Sequence, residues 1–406
     1  MSSLAANASA LQPEQWTSSS NEAVELFVTD DQGAIKFSPV FTYPIFGEAE
    51  TIYGYKGLEI FLCFDHFTFY PFFNVKYEEK LNDPEIVDLK STIEKFLPES
   101  AIFKDESKWG DAIAKEKENY RIPGELVDSF EQAVDDEVTS FDIYKLNLKD
   151  AGGLELHKRL QILVLLFIEA GSYIDASDEL WDVYVLYKST PGQDDPSIVG
   201  FTTVYNYWKY PGAAKFDKDE REVRLKISQF IILPIFQGRG IGGQFYSHLF
   251  EKWHKNDKVI EIVVEDPNES FDDLRDRSDL VRLSESLKLS DISTKITPEW
   301  IQNTRKSLKL EKRQFARLLE LVLLYQSKNK LGSDSKKDIR LFIKKRIFEK
   351  NKEGLSALDE NTKKDKLQTA YTSLEEDYFR ILGDLKLVVK RQGADEENGS
   401  AKKIKV

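Results

Sequence analysis

Two short segments have residue types and spacings suited to chemistry. The first is Gln237-Gly238-Arg239-Gly240-Ile241-Gly242-Gly243, which follows the strand-rich run 223–235 and opens a helical pattern over 240–254. A glycine-rich turn from strand to helix leaves backbone N–H groups unpaired at the positive end of the helix dipole. Without Cβ atoms in the way, a diphosphate can approach those groups closely. Plain connections use such turns as well. The order Gln-x-x-Gly-x-Gly is not the dinucleotide fingerprint, and the Gly-Lys-Ser/Thr of a triphosphate loop is absent. The second segment is Val264-Glu265-Asp266-Pro267, at the end of the apolar run 259–264. A carboxylate placed there can take a proton from an incoming nucleophile, more readily if burial raises its pKa. On the residues alone, a strand-end carboxylate bonded to backbone is the default reading of Glu265, and Asp266 before Pro267 also reads as the start of a turn.

The scarce residues narrow the chemistry further. Cys63 is the only cysteine, which excludes an intrachain disulfide and a multi-cysteine zinc site. It sits in the apolar run 58–64 and reads as a buried structural thiol. The four histidines, His66, His157, His248 and His254, show no metal-ligand spacing, so no metal is expected. Catalysis is left to carboxylates and backbone groups.

These segments need elements to hold them. The chain has 406 residues, too many for one ordinary core, and 41% hydrophobic content is enough to fold. Residues 37–46, 53–64 and 67–73 read as strands, and 83–142 as helices and loops with an acidic concentration over 125–142. Residues 154–174 read as one long helix carrying Glu169 near its end. Runs 181–187, 198–208 and 223–235 read as strands, the first two joined by a turn over 191–196, followed by the helix 240–254 and the strand 259–264. After Pro298, helices are expected over 299–326, 337–350 and 363–391. The predicted architecture is α/β: a flexible N-terminus (1–22), an α+β domain (23–145), a mixed-sheet domain (146–296), a small helical domain (297–391) and a disordered basic tail (392–406).

Net charge is −13, unevenly placed. Residues 1–300 hold 31 basic against 54 acidic residues, a balance of −23, whereas 301–406 hold 26 against 16, a balance of +10. The acidic body argues against direct nucleic-acid binding and for a basic partner or substrate. No apolar run is long enough for a bilayer span, nor is there a signal-peptide pattern at the N-terminus, so a soluble intracellular protein is expected.

The Gln-x-x-Gly-x-Gly loop resembles the acyl-CoA diphosphate loop of the GNAT superfamily of N-acetyltransferases. Further blocks make the resemblance narrower. They are Ile227-Ser228-Gln229-Phe230-Ile231-Ile232, the Val264-Glu265-Asp266-Pro267-Asn268 stretch, Phe41-Thr42-Tyr43-Pro44, Tyr53-Gly54-Tyr55-Lys56, Ile168-Glu169-Ala170-Gly171-Ser172 and Ser307-Leu308-Lys309-Leu310-Glu311. Taken in chain order, over about 35–325, they are similar to the catalytic subunit of type B histone acetyltransferases. The fold implied is a mixed-sheet GNAT acetyltransferase core.

The resemblance implies acetyl-CoA as co-substrate and direct transfer to tail lysines of newly made, non-nucleosomal histone H4, accompanied by H3. It implies Glu265 as general base, with Glu169 and Asp266 as further acidic positions near the acceptor amine. For the cofactor it implies the backbone of Phe230, Ile231 and Ile232 and the loop Gln237 to Gly243; Asn268, Phe271 and Arg277 follow just after the base. Glu48 and Glu50 match tail-holding acids, and an aromatic cluster that includes Tyr205 and Trp208 could line the groove. It also implies a WD-repeat histone-binding partner. Cytoplasmic and nuclear residence is expected, with Lys402-Lys403-Ile404-Lys405 as an import candidate. A histone escort lacking catalysis and a small-amine acetyltransferase are the competing readings.

Overall fold

The computed structural model describes residues 13–389 apart from 31, 135–136, 190–194 and 219–220. The chain divides into two compact units, one of residues up to 249 together with 263–266, the other of 250–262 and the residues from 267 onward.

In the first unit, five strands among the described residues form a mixed sheet: β1 (Val24–Asp30), β2 (Gly33–Phe37), β3 (Glu59–Asp65), β4 (Pro71–Lys76) and β5 (Ile102–Phe103), in spatial order β2-β1-β3-β4-β5. β1 runs parallel to β3 and β4 parallel to β5, and the other pairs are antiparallel. Alternating apolar residues place Leu26, Ile60, Leu62, Phe64 and Phe73 in the core. Cys63 lies on the intervening face of β3, where burial pushes its thiol up to about 12.

A second sheet holds β6 (Glu125–Val134), β7 (Glu137–Lys145), β8 (Trp181–Ser189), β9 (Ser197–Lys209), β10 (Glu222–Ile232) and β11 (Val259–Val264) in sequence order. Each neighbouring pair from β6 to β10 is antiparallel. Its inward residues Val183, Val185, Phe201 and Ile231 join the core that contains β1 and β3. Fully buried Ile162, Leu163, Val164 and Leu166, on the short helix α4 (Ile162–Phe167), fill the same core.

The expected strands 181–187, 198–208 and 259–264 are present, and β10 ends at Ile232, before Pro234. Several expectations change. Residues 37–46 are not a strand: β2 ends at Phe37 and Tyr43–Phe46 form a single helical turn, α1, with Pro44 in its first turn. Residues 125–142, read as helix and loop, are mostly the hairpin β6–β7; only Phe130, Val134, Thr139, Phe141 and Ile143 turn inward, so charge hides the alternation. The helix expected over 154–174 is α3 (Ala151–Leu160) followed by α4, and it ends before Glu169. Ala170 there takes a left-handed φ of +55°, and a Cβ on Gly171 would lie 2.6 Å from the Val164 carbonyl. Order also begins before residue 22, because Trp16 and Ser20 are buried. Most of the turn expected at 191–196 and all of the tail 392–406 lie outside the described residues.

The second unit is helical: α6 (Glu269–Ser286), α7 (Pro298–Ser307), α8 (Lys312–Asn329), α9 (Lys336–Lys350) and α10 (Glu360–Leu382). The helix expected over 299–326 is two helices, interrupted where Lys309 adopts φ +55°. Glu320, 1% exposed on α8, accepts from Arg346 Nε and Nη2 at 2.6 and 2.7 Å and from the Tyr378 hydroxyl at 2.8 Å. Three helices are thereby tied through one buried carboxylate.

Candidate active site

β10 carries one residue more than β9 at its centre: Thr203 pairs with Gln229 and Val204 with Ile227, leaving Ser228 as a bulge. A bulge re-aims the side chain it inserts. Here the Ser228 hydroxyl donates to Glu265 Oε2 at 2.5 Å. The Lys226 ammonium, two residues earlier on the strand, donates to Glu265 Oε1 and lies 5.2 Å from the centre of the Tyr207 ring. Backbone completes the attachment, since Glu265 N–H donates to the Ile227 carbonyl at 2.9 Å.

The carboxyl is 41% exposed. Partial burial pushes its pKa up, but Lys226 and Ser228 outweigh burial and hold it below the usual glutamate range. The expectation of a burial-raised base is therefore reversed: Glu265 is a ready-made carboxylate. The sequence pattern contained a signal for its partners, because Lys226 and Ser228 stand two apart on a strand and share a face. Asp266 follows with φ +34°, an uncommon conformation for a residue with a Cβ.

The glycine loop lies beyond the end of β10. Phe230 packs on Phe245 of helix α5 (Ile241–His254), with ring centroids 5.3 Å apart. Pro234–Phe236 form a 3-10 turn, and Gln237 Nε2 donates back to the Ile232 carbonyl at 2.7 Å. Gly238 and Gly240 take φ +76° and +77°. Conformation rather than crowding explains glycine at both, because a Cβ on Gly238 would meet nothing within 4 Å. The Arg239 carbonyl accepts from Gln132 Nε2 at 2.6 Å, so β6 clamps the loop. This contact was not legible in the sequence. The N–H groups of Ile241, Gly242 and Gly243 occupy the first turn of a 14-residue helix, an arrangement that suits a diphosphate. The residues present fit a coenzyme A diphosphate through backbone donors.

Glu169 is exposed, next to Ala170, whose N–H donates to the Tyr43 hydroxyl at 2.6 Å. The same loop is held at Ser172, whose carbonyl accepts from Gln229 Nε2 at 2.8 Å. Glu50 is occupied: its Oε1 accepts from the N–H groups of Thr42 and Tyr43 at 2.7 and 3.0 Å, and its Oε2 from Asn21 at 2.7 Å. The Thr42 N–H leads the contacts that lower its pKa. Glu48 is exposed. Tyr205 donates to Asp178 at 3.0 Å and stacks edge-on with Trp181, whereas Trp208 is 51% exposed.

The remaining expected residues belong to the second unit. Asn268 caps α6, accepting from Phe271 N–H at 2.9 Å. Arg277 donates to the Ile381 carbonyl at 2.8 Å and to Asp384 at 3.0 Å. Among the described residues no group of three or more histidine, cysteine or acidic side chains could hold a metal, and no helix is long and apolar enough to cross a membrane.

Comparison with known proteins fixes the kinship. Residues 16–169 match the family described as "Histone acetyl transferase HAT1 N-terminus", and residues 276–328 match "Fungal HAT1, C-terminal". The histone acetyltransferase type B catalytic subunit of Candida albicans is 64% identical over 402 residues, covering 97% of this chain and 96% of that one. The chain belongs to the type B histone acetyltransferase catalytic subunits. It is accordingly an acyltransferase, and its mixed α/β core with a helical C-terminal region is the fold expected. The type B catalytic subunits of Debaryomyces hansenii and Kluyveromyces lactis are 59% and 46% identical, each covering 97% or more of both chains. Among solved structures, an aminoglycoside acetyltransferase from a soil metagenome matches at 17% identity and TM-score 0.23, over 32% of this chain and 80% of that one. Kinship to the type B subunits rests on the full-length relatives.

Proposed function

We propose that this chain transfers acetyl from acetyl-CoA to the ε-amine of lysines in the N-terminal tail of histone H4 before the histone enters nucleosomes. The observation that carries the reading is Glu265, an ionised, partly exposed carboxylate fixed beside the Ser228 bulge of β10. A free lysine has a pKa of ~10.4 and is almost wholly protonated at neutral pH. Glu265 takes the proton of the tail lysine, directly or through one water, and the neutral amine attacks the thioester in a ternary complex. When acetyl-CoA is bound it supplies the activated acetyl group. The backbone of Phe230, Ile231 and Ile232 orients its pantetheine arm, and the loop Gln237 to Gly243 holds its diphosphate. Cys63, with its raised pKa, has no part as an acyl carrier. Asp266 and Glu169 add negative charge around the acceptor lysine.

The tail and the −23 body attract each other, and histone H3 enters with H4 as their complex. A WD-repeat histone-binding subunit is the partner proposed, and cytoplasm and nucleus the compartments. The test is transfer of labelled acetyl to an H4-tail peptide, to free H4 and to nucleosomes. Transfer to free H4 and peptide, with nucleosomes poor substrates and Glu265→Gln at least about a hundredfold slower, is the expected result. Full activity in Glu265→Gln removes it as base, and equal nucleosome modification removes the proposed preference for histone outside nucleosomes.

A further inference from the structure

In the free protein the base already holds an amine. Lys226 Nζ donates directly to Glu265 Oε1, while Ser228 occupies Oε2. An acceptor lysine delivered to this base must reach the same carboxylate. The Lys226 side chain is 16% exposed, enclosed by the Tyr207 ring on the neighbouring strand and by Glu265. Its strand continues through the Ser228 bulge to Phe230, the start of the backbone stretch assigned to the acetyl-bearing arm. The amine, base and thioester position thus lie along one stretch of β10 and the strand end beside it. A long, unbranched lysine stem can swing through several ångströms by rotamer changes.

We propose that Lys226 is a self-acetylation site: in the absence of a histone tail, the enzyme transfers acetyl to its own Lys226. This inference rests on Glu265 being the base. The Lys226 ammonium loses a proton to Glu265, and its nitrogen attacks the thioester carbonyl. A C–N bond forms, the C–S bond breaks, and the second proton of the attacking nitrogen passes to the departing sulfur, so that coenzyme A leaves as its thiol. Glu265 passes its proton to solvent. The product amide is uncharged, so the modification removes the ammonium that competes with a tail lysine for Glu265.

The experiment incubates the full chain with acetyl-CoA and no peptide, then maps acetyl groups by intact mass and peptide mass spectrometry. Expected is acetyl on Lys226 at a fractional rate independent of enzyme concentration, as befits a reaction within one chain. Saturating H4-tail peptide lowers this rate, because both amines need one carboxylate. Glu265→Gln slows Lys226 modification about a hundredfold, the contribution of a general base. Lys226→Arg loses the modified peptide, which confirms the mapping.

Native enzyme that acetylates the H4 peptide yet leaves Lys226 unmodified overturns the proposal while leaving the base assignment intact. Equal Lys226 modification in native and Glu265→Gln protein, with peptide transfer still slowed by the substitution, marks it as uncatalysed chemistry and also overturns it. Full peptide activity in Glu265→Gln removes the base assignment itself. A retained circular dichroism spectrum separates each of these from misfolding.

Discussion

At the scale of residues, the central question is what sets the charge of Glu265. Lys226 and Ser228 lower its pKa against the pull of partial burial, so the carboxylate persists below the usual glutamate range. The acid limb of the kcat/KM profile is expected below that range as well. Lys226→Met removes the ammonium and leaves burial to act, which moves the limb toward higher pH; a limb unmoved by the substitution assigns it to another group. Glu265 itself was legible in the sequence because a carboxylate closing an apolar strand is unusual, and the family blocks gave it a role. Its partners were not singled out, although Lys226 and Ser228 sit at strand spacing. Glu50 shows the opposite case. Its acidity suggested tail binding, whereas its oxygens are engaged by the backbone of Thr42 and Tyr43 and by Asn21.

Elements explain where sequence patterns succeeded. Strands 181–187, 198–208 and 259–264 are buried enough that their apolar runs survive, and the loop after β10 needs glycine for its φ angles. Gly238→Ala places a Cβ where φ is +76°, at a cost of about 1 kcal/mol. The expected result is a KM for acetyl-CoA raised by about fivefold, with the KM for tail peptide unchanged in initial-rate kinetics. Patterns failed where charge or local backbone overrode periodicity. The β6–β7 hairpin faces solvent along most of its length, and α4 stops because the chain turns back on its own Val164 carbonyl at Gly171. In the second unit, Arg346→Leu leaves Glu320 buried without its main partner. Removing one member of a buried pair costs about 3–5 kcal/mol. Thermal or urea unfolding followed by circular dichroism should show the helical unit lose that much, and a change under about 1 kcal/mol would mean that the Tyr378 hydroxyl suffices.

For the whole molecule, the division of charge matters most. An acidic body of −23 is expected to attract the proposed lysine-rich tail over distances comparable with the Debye length, about 8 Å at physiological ionic strength. Raising salt from 50 to 500 mM is expected to lower kcat/KM for the tail peptide by about tenfold, mostly through KM. The same change should leave transfer to a small neutral-flanked lysine peptide nearly unaffected, and equal salt sensitivity of both peptides would exclude steering by the body.

The lone thiol has a practical meaning for anyone measuring these rates. Each turnover releases one coenzyme A thiol, and Cys63, held near pKa 12 within β3, contributes almost no competing thiolate at neutral pH. A coloured disulfide reagent can therefore report product continuously in the folded enzyme with a flat protein background. Alkylating reagents added beforehand should leave activity intact. A burst of colour from the native protein alone would show that β3 opens on the timescale of the assay.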